Sequence, residues 1–123
     1  MKDASMKTTY AAIPSHVTKD GSEIRELMHP AVHGNRHQSL AEATILPGAS
    51  TQLHRHHVTE ELYHVTAGRG RMTLGGAQFE IVAGDTVRID PDTPHCVAAL
   101  GAEPLRILCC CSPAYSHEDT ELL

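Results

Sequence analysis

Tryptophan is absent from this 123-residue chain, and phenylalanine occurs once, at Phe79. With Tyr10, Tyr63 and Tyr115 that makes four aromatic residues, so the core must be built from Val, Ile, Leu and Ala. Lysine is missing after Lys19, leaving arginine as the only permanent cation of the remaining chain. Ten basic residues against fifteen acidic ones give a net charge of −5. A nucleic-acid partner is not expected, because phosphate binding needs a basic footprint. No run approaches the 18 or so apolar residues of a membrane-spanning helix, so no membrane partner is expected. No apolar segment of a secretory signal follows Lys2 and Asp3, and the expected location is cytoplasmic. Cys96, Cys109, Cys110 and Cys111 include no CxxC pair, which removes a zinc ribbon or a thioredoxin-like motif. Consecutive cysteines on a strand alternate in direction, so three in a row cannot meet one ion; they read as small buried hydrophobes.

What the chain has in excess is histidine, ten in all, and not in one contiguous run. That excess points to metal, proton chemistry or a pH response. From Ser39 onward short strand-like runs alternate with turn signals. They are SLAEATI (39–45), STQLHRH (50–56), ELYHVTA (61–67), RMTL (71–74), AQFEIV (77–82), TVRI (86–89), HCVAA (95–99) and LRILCCC (105–111). Gly75-Gly76 between two of them is a hairpin signal. Strands at intervals of about 8–12 residues indicate an all-β sandwich or barrel. Residues 1–38 read as an N-terminal arm and edge element, with Ser22 to Met28 either a helical turn or an edge strand and His29 to Asn35 a loop. Residues 39–111 read as the barrel. Residues 112–123 read as a C-terminal tail that folds over a mouth or, by default for a terminus, frays.

The segment Gly48 to Gly68 carries the chemistry. His54 and His56 are two apart on one strand face, about 6.5–7 Å along the strand, so both imidazoles reach one ion. Glu61 opens the next strand, and His95 follows thirty-four residues later behind the Pro91 and Pro94 turn. Three imidazoles and one carboxylate suit Fe, Mn, Ni, Cu or Zn better than Ca or Mg. Strand alternation sends Glu60, His57 and His64 away from this face. Tyr63 shares the face of Glu61 and is the catalytic candidate, its hydroxyl orienting a ligand or acting as a weak acid. Of the arginines, Arg88 precedes the His95 turn and is the best placed to clamp an anion, with a structural ion pair as the plainer reading.

In these residues the sequence resembles the cupin superfamily. Its first motif, G-x5-H-x-H-x(3,4)-E-x6-G, is matched at every fixed position by Gly48, His54, His56, Glu61 and Gly68. Of its second, G-x5-P-x-G-x2-H-x3-N, Gly84 and His95 are present, while Asp90, Asp92 and Ala99 replace the Pro, Gly and Asn. Fifteen residues separate the motifs, the short spacing of small single-domain cupins, which are often labelled mannose-6-phosphate isomerase-like. The resemblance implies a jelly-roll β-barrel in a single domain, with one divalent transition metal ion per chain held near one mouth by His54, His56, Glu61 and His95. It implies a mononuclear metalloenzyme acting on a small oxygen-rich molecule by dioxygenase, isomerase or lyase chemistry. The alternative is a non-catalytic binder of a sugar or organic acid. The chain carries no covalent-nucleophile motif. A homodimer is expected, because pairing covers sheet edges and an apolar outer face of a small jelly roll.

Overall fold

The computed structural model describes residues 6–123, so Lys2 and Asp3 lie outside the described residues. The runs between Ser39 and Ser112 become strands because their apolar positions alternate. In β3 (Ser39–Ile45) and β10 (Leu105–Ser112) every second residue is buried. The same period runs through β5 (Glu60–Ala67), β8 (Thr86–Ile89) and β9 (His95–Leu100). Burying alternate residues on both sides of a common core requires two facing sheets. With β1 (Ser15–Val17), β2 (Glu23–Met28), β4 (His54–His56), β6 (Arg69–Leu74), β7 (Ala77–Val82) and β11 (Thr120–Leu122), one sheet has six strands in the order β1-β2-β3-β10-β5-β8 and the other five in the order β11-β4-β9-β6-β7. All their named pairings are antiparallel. The arrangement is a jelly-roll barrel, as the strand rhythm and the motif likeness lead one to expect.

The filled end of the barrel is packed by Val65, Met72, Ile81 and Leu105, and Ile45, Val97 and Ile107 join them while lining the other end. Burying each such side chain contributes about 1.5–3 kcal/mol. The other end is hollow, and the reason is in the sequence. The inward positions of β3 there are Ser39, Ala41 and Ala43, and those of β10 are Cys109 and Cys111. Small side chains on two adjacent strands leave space instead of filling it. The consecutive cysteines thus alternate, Cys109 and Cys111 inward and Cys110 outward.

Two positions explain motif residues by geometry. Gly68 has φ +78°, and a Cβ there would collide with the Pro104 carbonyl oxygen, so only glycine fits between β5 and β6 (Arg69–Leu74). Asp92 has φ 64°, the left-handed conformation natural to the glycine that the second motif has at this place. Aspartate tolerates that region better than most residues do, and the Asp92 amide donates to the His56 carbonyl at 2.7 Å. The bend before His95 therefore survives the substitution.

The structure differs from the sequence reading mainly at the margins. The run 50–56 is a strand only over β4 (His54–His56), with Ser50 making a lone bridge to Ala98. The first 38 residues contribute β1 (Ser15–Val17) and β2 (Glu23–Met28), and β2 lies inside the sheet, between β1 and β3. The expected loop at 29–35 contains a single helical turn, α1 (Pro30–His33), started by Pro30 and stopped at Gly34. The tail does not fray. Its last residues form β11 (Thr120–Leu122), paired antiparallel to β4. Asp119 anchors it by accepting from the Val58 and Thr59 amides at 2.9 and 3.0 Å, and Lys19 donates to the His117 and Thr120 carbonyls at 3.1 and 2.6 Å. No helix among the described residues is long and apolar enough to cross a membrane.

Candidate metal centre

The hollow end of the barrel holds the chemistry. His54 and His56 face inward from β4, two residues apart, and both are buried. The register of β4 on β9 places His95 directly opposite His54. The three ring centroids lie 4.2 to 5.4 Å apart. Each ring offers a ligand atom within 4.8 Å of those of the other two, a spacing that lets all three hold one ion. Glu61 comes from the other sheet, on β5, and reaches across. Its Oε1 lies 3.2 Å from His56 Nε2 and 3.7 Å from His95 Nε2. Glu60, one residue away, is exposed, as are His57 and His64.

The hydrogen bonds of the imidazoles decide which nitrogen is available. His54 Nδ1 lies 2.7 Å from the Gln52 carbonyl, and His95 Nδ1 lies 2.9 Å from the Thr93 carbonyl. A carbonyl only accepts, so both Nδ1 atoms carry the proton. His56 Nδ1 lies 2.9 Å from Thr120 Oγ1, whose own hydroxyl donates to the Ser116 carbonyl at 2.8 Å. With its proton spent there, Thr120 Oγ1 accepts from His56 as well. All three neutral rings therefore turn a bare Nε2 lone pair inward. Glu61 Oε2 accepts from the Cys111 thiol at 3.3 Å, which leaves Oε1 aimed at the imidazoles. Glu61 Oε1 and His95 Nε2 are buried and have no hydrogen-bond partner.

Such a cluster of acceptors without a donor is costly unless a cation sits among them. A proton on an imidazole can serve, and so can a metal ion. Burial by itself would raise the pKa of Glu61, but His56 and His95, once an Nε2 proton makes them cationic donors, outweigh it and hold the carboxyl at about 2. Burial and the neighbouring His95 push His54 below the ordinary histidine value, against the Gln52 carbonyl. Both shifts favour the forms that ligate metal, carboxylate and neutral imidazole.

The tail and the N-terminal hairpin complete the site, and the motifs give no hint of either. Tyr115 stacks edge-on against His56, with centroids 5.8 Å apart. It is fixed by its amide on Ser39 Oγ at 3.0 Å and by its carbonyl, which accepts from His29 Nε2 at 2.7 Å. Asp20, in the β1–β2 turn, has Oδ2 3.6 Å from His54 Nε2, while its Oδ1 accepts from the amide and hydroxyl of Ser22 at 2.9 and 2.6 Å. A turn signal at Lys19-Asp20-Gly21 is visible in the sequence, but its place beside His54 is not. Tyr63 is buried, its ring 6.0 Å from that of His95. Burial and the Glu61 carboxylate raise its hydroxyl well above the usual phenol range. Arg88 stays out of the site: it is exposed and pairs with Asp90 at 3.0 Å, the plainer of its two expected roles.

A histidine-lined pocket at the open end of a two-sheet antiparallel barrel defines a class of small metal-site barrels. The chain matches the family model described as Cupin domain over residues 41–111, and it belongs to that family. It is 52% identical over 118 residues to an uncharacterised protein of Methanocaldococcus jannaschii, covering 96% of this chain and 94% of that one. It is 30% identical over 108 residues to the polyketide synthase CurC of Streptomyces cyaneus, covering 84% and 70% of the two chains. Among solved structures, it resembles a predicted oxalate decarboxylase of Thermotoga maritima with a TM-score of 0.75 at 22% identity, covering 85% of this chain and 96% of that one. It resembles the oxalate decarboxylase of Bacillus subtilis with a TM-score of 0.80 at 21% identity, covering 94% of this chain but only 31% of the larger enzyme. At such identities the two structures establish the fold alone.

Proposed function

We propose that the protein is a mononuclear metalloenzyme acting on a small oxygen-rich molecule, by dioxygenase, isomerase or lyase chemistry. The observation that carries this reading is the inward convergence of three bare Nε2 lone pairs and the orphaned Glu61 Oε1. His54, His56, Glu61 and His95 would hold one divalent transition metal ion, of the Fe, Mn, Zn, Ni or Cu group that suits mixed N/O donors. Bound there, such an ion supplies Lewis acidity or, if redox-active, electron transfer. The chain's own groups do the rest. The Gln52 and Thr93 carbonyls and Thr120 hold the three rings in one tautomer. Cys111 turns the Glu61 carboxylate. Tyr63 keeps its proton and acts as a neutral donor rather than as an acid. Tyr115 and the β11 segment restrict water at the mouth. Metal analysis of protein purified without added metal tests the reading. Near-stoichiometric transition metal supports it, and metal-free protein that takes up none of these ions overturns it.

Acid should release the ion. Glu61 stays ionised to about pH 2, so it is not the group that lets go. The imidazoles are, since a proton and the ion compete for the same Nε2 lone pair. Occupancy is expected to fall progressively as the pH drops below about 6. Dialysis against buffers of stepped pH, followed by metal analysis, measures this. Full occupancy at pH 4 would mean that histidines are not the ligands.

A homodimer is part of the same proposal. Leu40, Cys110 and Leu62 lie in one row across the outer face of the six-stranded sheet, and Leu40 and Leu62 are exposed. A second copy covering this face removes that apolar surface from water. Light scattering at micromolar concentration should give twice the chain mass, and a clean monomer would remove the proposal.

A further inference from the structure

The pocket beside the histidines is a cavity of about 50 Å³, open at one side. By the measure of roughly 10–15 Å³ per water it holds about three to five waters' worth of ligand. Its walls are unusual in charge. Asp20, Glu26 and Glu61 all line it, and among its lining residues there is neither lysine nor arginine. The nearby Lys19 ammonium is committed to the His117 and Thr120 carbonyls. The remaining polar walls are hydroxyls and thiols, including Ser22, Ser39, Tyr63 and Tyr115.

Glu26 is the informative member. It sits on β2, in register with Ala41, which in turn pairs with Cys109. That rung is hollow because Ala41 and Cys109 are small, so Glu26 looks across the space. Its Oε1 is buried and has no hydrogen-bond partner. Burial raises its pKa, against the opposing effect of His29, His16 and His33. Glu26 Oε1, like Glu61 Oε1, is a buried oxygen without a hydrogen-bond partner, in the wall of the same cavity. Asp20 Oδ2 is a third oxygen, free of the Ser22 bonds that occupy Oδ1.

We propose that the cavity selects an uncharged small molecule with adjacent hydroxyl and carbonyl or hydroxyl oxygens, and rejects carboxylates and phosphates of the same size. The proposal rests on the metal-site reading. A divalent ion would already be balanced by Glu61 and Asp20 together, so an incoming anion meets no net positive charge and no guanidinium or ammonium. It would also be desolvated beside the Glu26 and Asp20 carboxyls, with like charges a few ångströms apart in a partly dry cavity. An uncharged polyhydroxy compound brings what the walls lack. Its O–H groups donate to the orphaned Glu26 and Asp20 oxygens, and an unprotonated oxygen remains for the ion. An ammonium ligand satisfies the same acceptors but has no lone pair for the ion and is repelled by it.

The test uses the full chain loaded with Co(II), whose visible spectrum reports ligands that enter its coordination sphere. Metal content is measured first, so that a chain that takes up no cobalt counts against the metal reading and not against the selectivity. Dihydroxyacetone serves as the uncharged probe and glycolate as the anionic one. In the unaltered protein dihydroxyacetone should bind saturably and glycolate poorly. Glu26→Gln and Asp20→Asn, which keep the side-chain shapes and are compared at equal cobalt loading, should each strengthen glycolate binding by about tenfold through loss of one like charge. Each should weaken dihydroxyacetone or leave it unchanged. Glycolate binding that is tight in the unaltered protein, or that neither variant improves, would overturn the proposal. So would the absence of any dihydroxyacetone signal from cobalt-loaded protein.

Discussion

Replacing His54, His56, Glu61 or His95 by alanine is expected to strip most of the metal from the protein while its neighbours keep it. Each change removes one donor atom from the proposed four-donor set, and even the loss of a residue that only supports a ligand costs about 10–100-fold in affinity. The internal controls are Glu60→Ala and His57→Ala. They alter the same residue types one position away, at side chains that the strand pleat turns to solvent. Their metal content should match that of the unaltered protein. A reversal, with Glu60→Ala losing metal and Glu61→Ala keeping it, would refute the assignment of the carboxylate. The fold should survive, because the packed core of Val65, Met72, Leu105 and their neighbours lies away from the site cavity. Circular dichroism of each variant separates loss of metal from loss of fold.

Thr120→Val should weaken metal binding by about 10–100-fold although Thr120 offers the ion no atom. The residue accepts the Nδ1 proton of His56 at 2.9 Å and so keeps Nε2 bare. Valine keeps the bulk and removes the acceptor. The His56 ring then loses its buried partner and is free to turn or to change tautomer. Thr120→Ser restores the hydroxyl and should restore affinity. Competition against a chelator measures both. A second outcome is equally decisive: if Thr120→Val binds metal as tightly as the unaltered chain, the tail's hydrogen bond does not orient His56. Since a merely structural role for β11 would be disturbed by serine and valine alike, the contrast between the two isolates the hydrogen bond.

That the tail takes part shows where sequence patterning stops. Strand alternation rests on a local rule, the period of two, and it places Glu61 inward and Glu60 outward from neighbouring residues alone. The same rule separates Cys109 and Cys111 from Cys110. Motif spacing likewise brings out His54, His56, Glu61 and His95, because a site built from two adjacent strands and one later turn repeats its distances along the chain. Asp92 illustrates the intermediate case. Its departure from glycine is plain in the sequence, but only the backbone shows that it still adopts the left-handed conformation.

Residues that approach from far along the chain carry no such signature. Thr120 lies 64 residues from His56, and Asp20 lies 34 residues before His54 in a turn that looks like any other. Glu26 reads locally as one charge in a short mixed run. The sequence by itself determined the all-β class, the faces of the central strands and the inward placement of His54, His56, Glu61 and His95, since each depends on residues a few positions apart. Only the tertiary structure decided that the β1–β2 hairpin and the C-terminal tail close over those side chains, which nitrogen each histidine presents, and that the cavity is walled by carboxylates. Those features depend on which strands lie side by side, and strand order is set by packing of the whole barrel rather than by any local pattern.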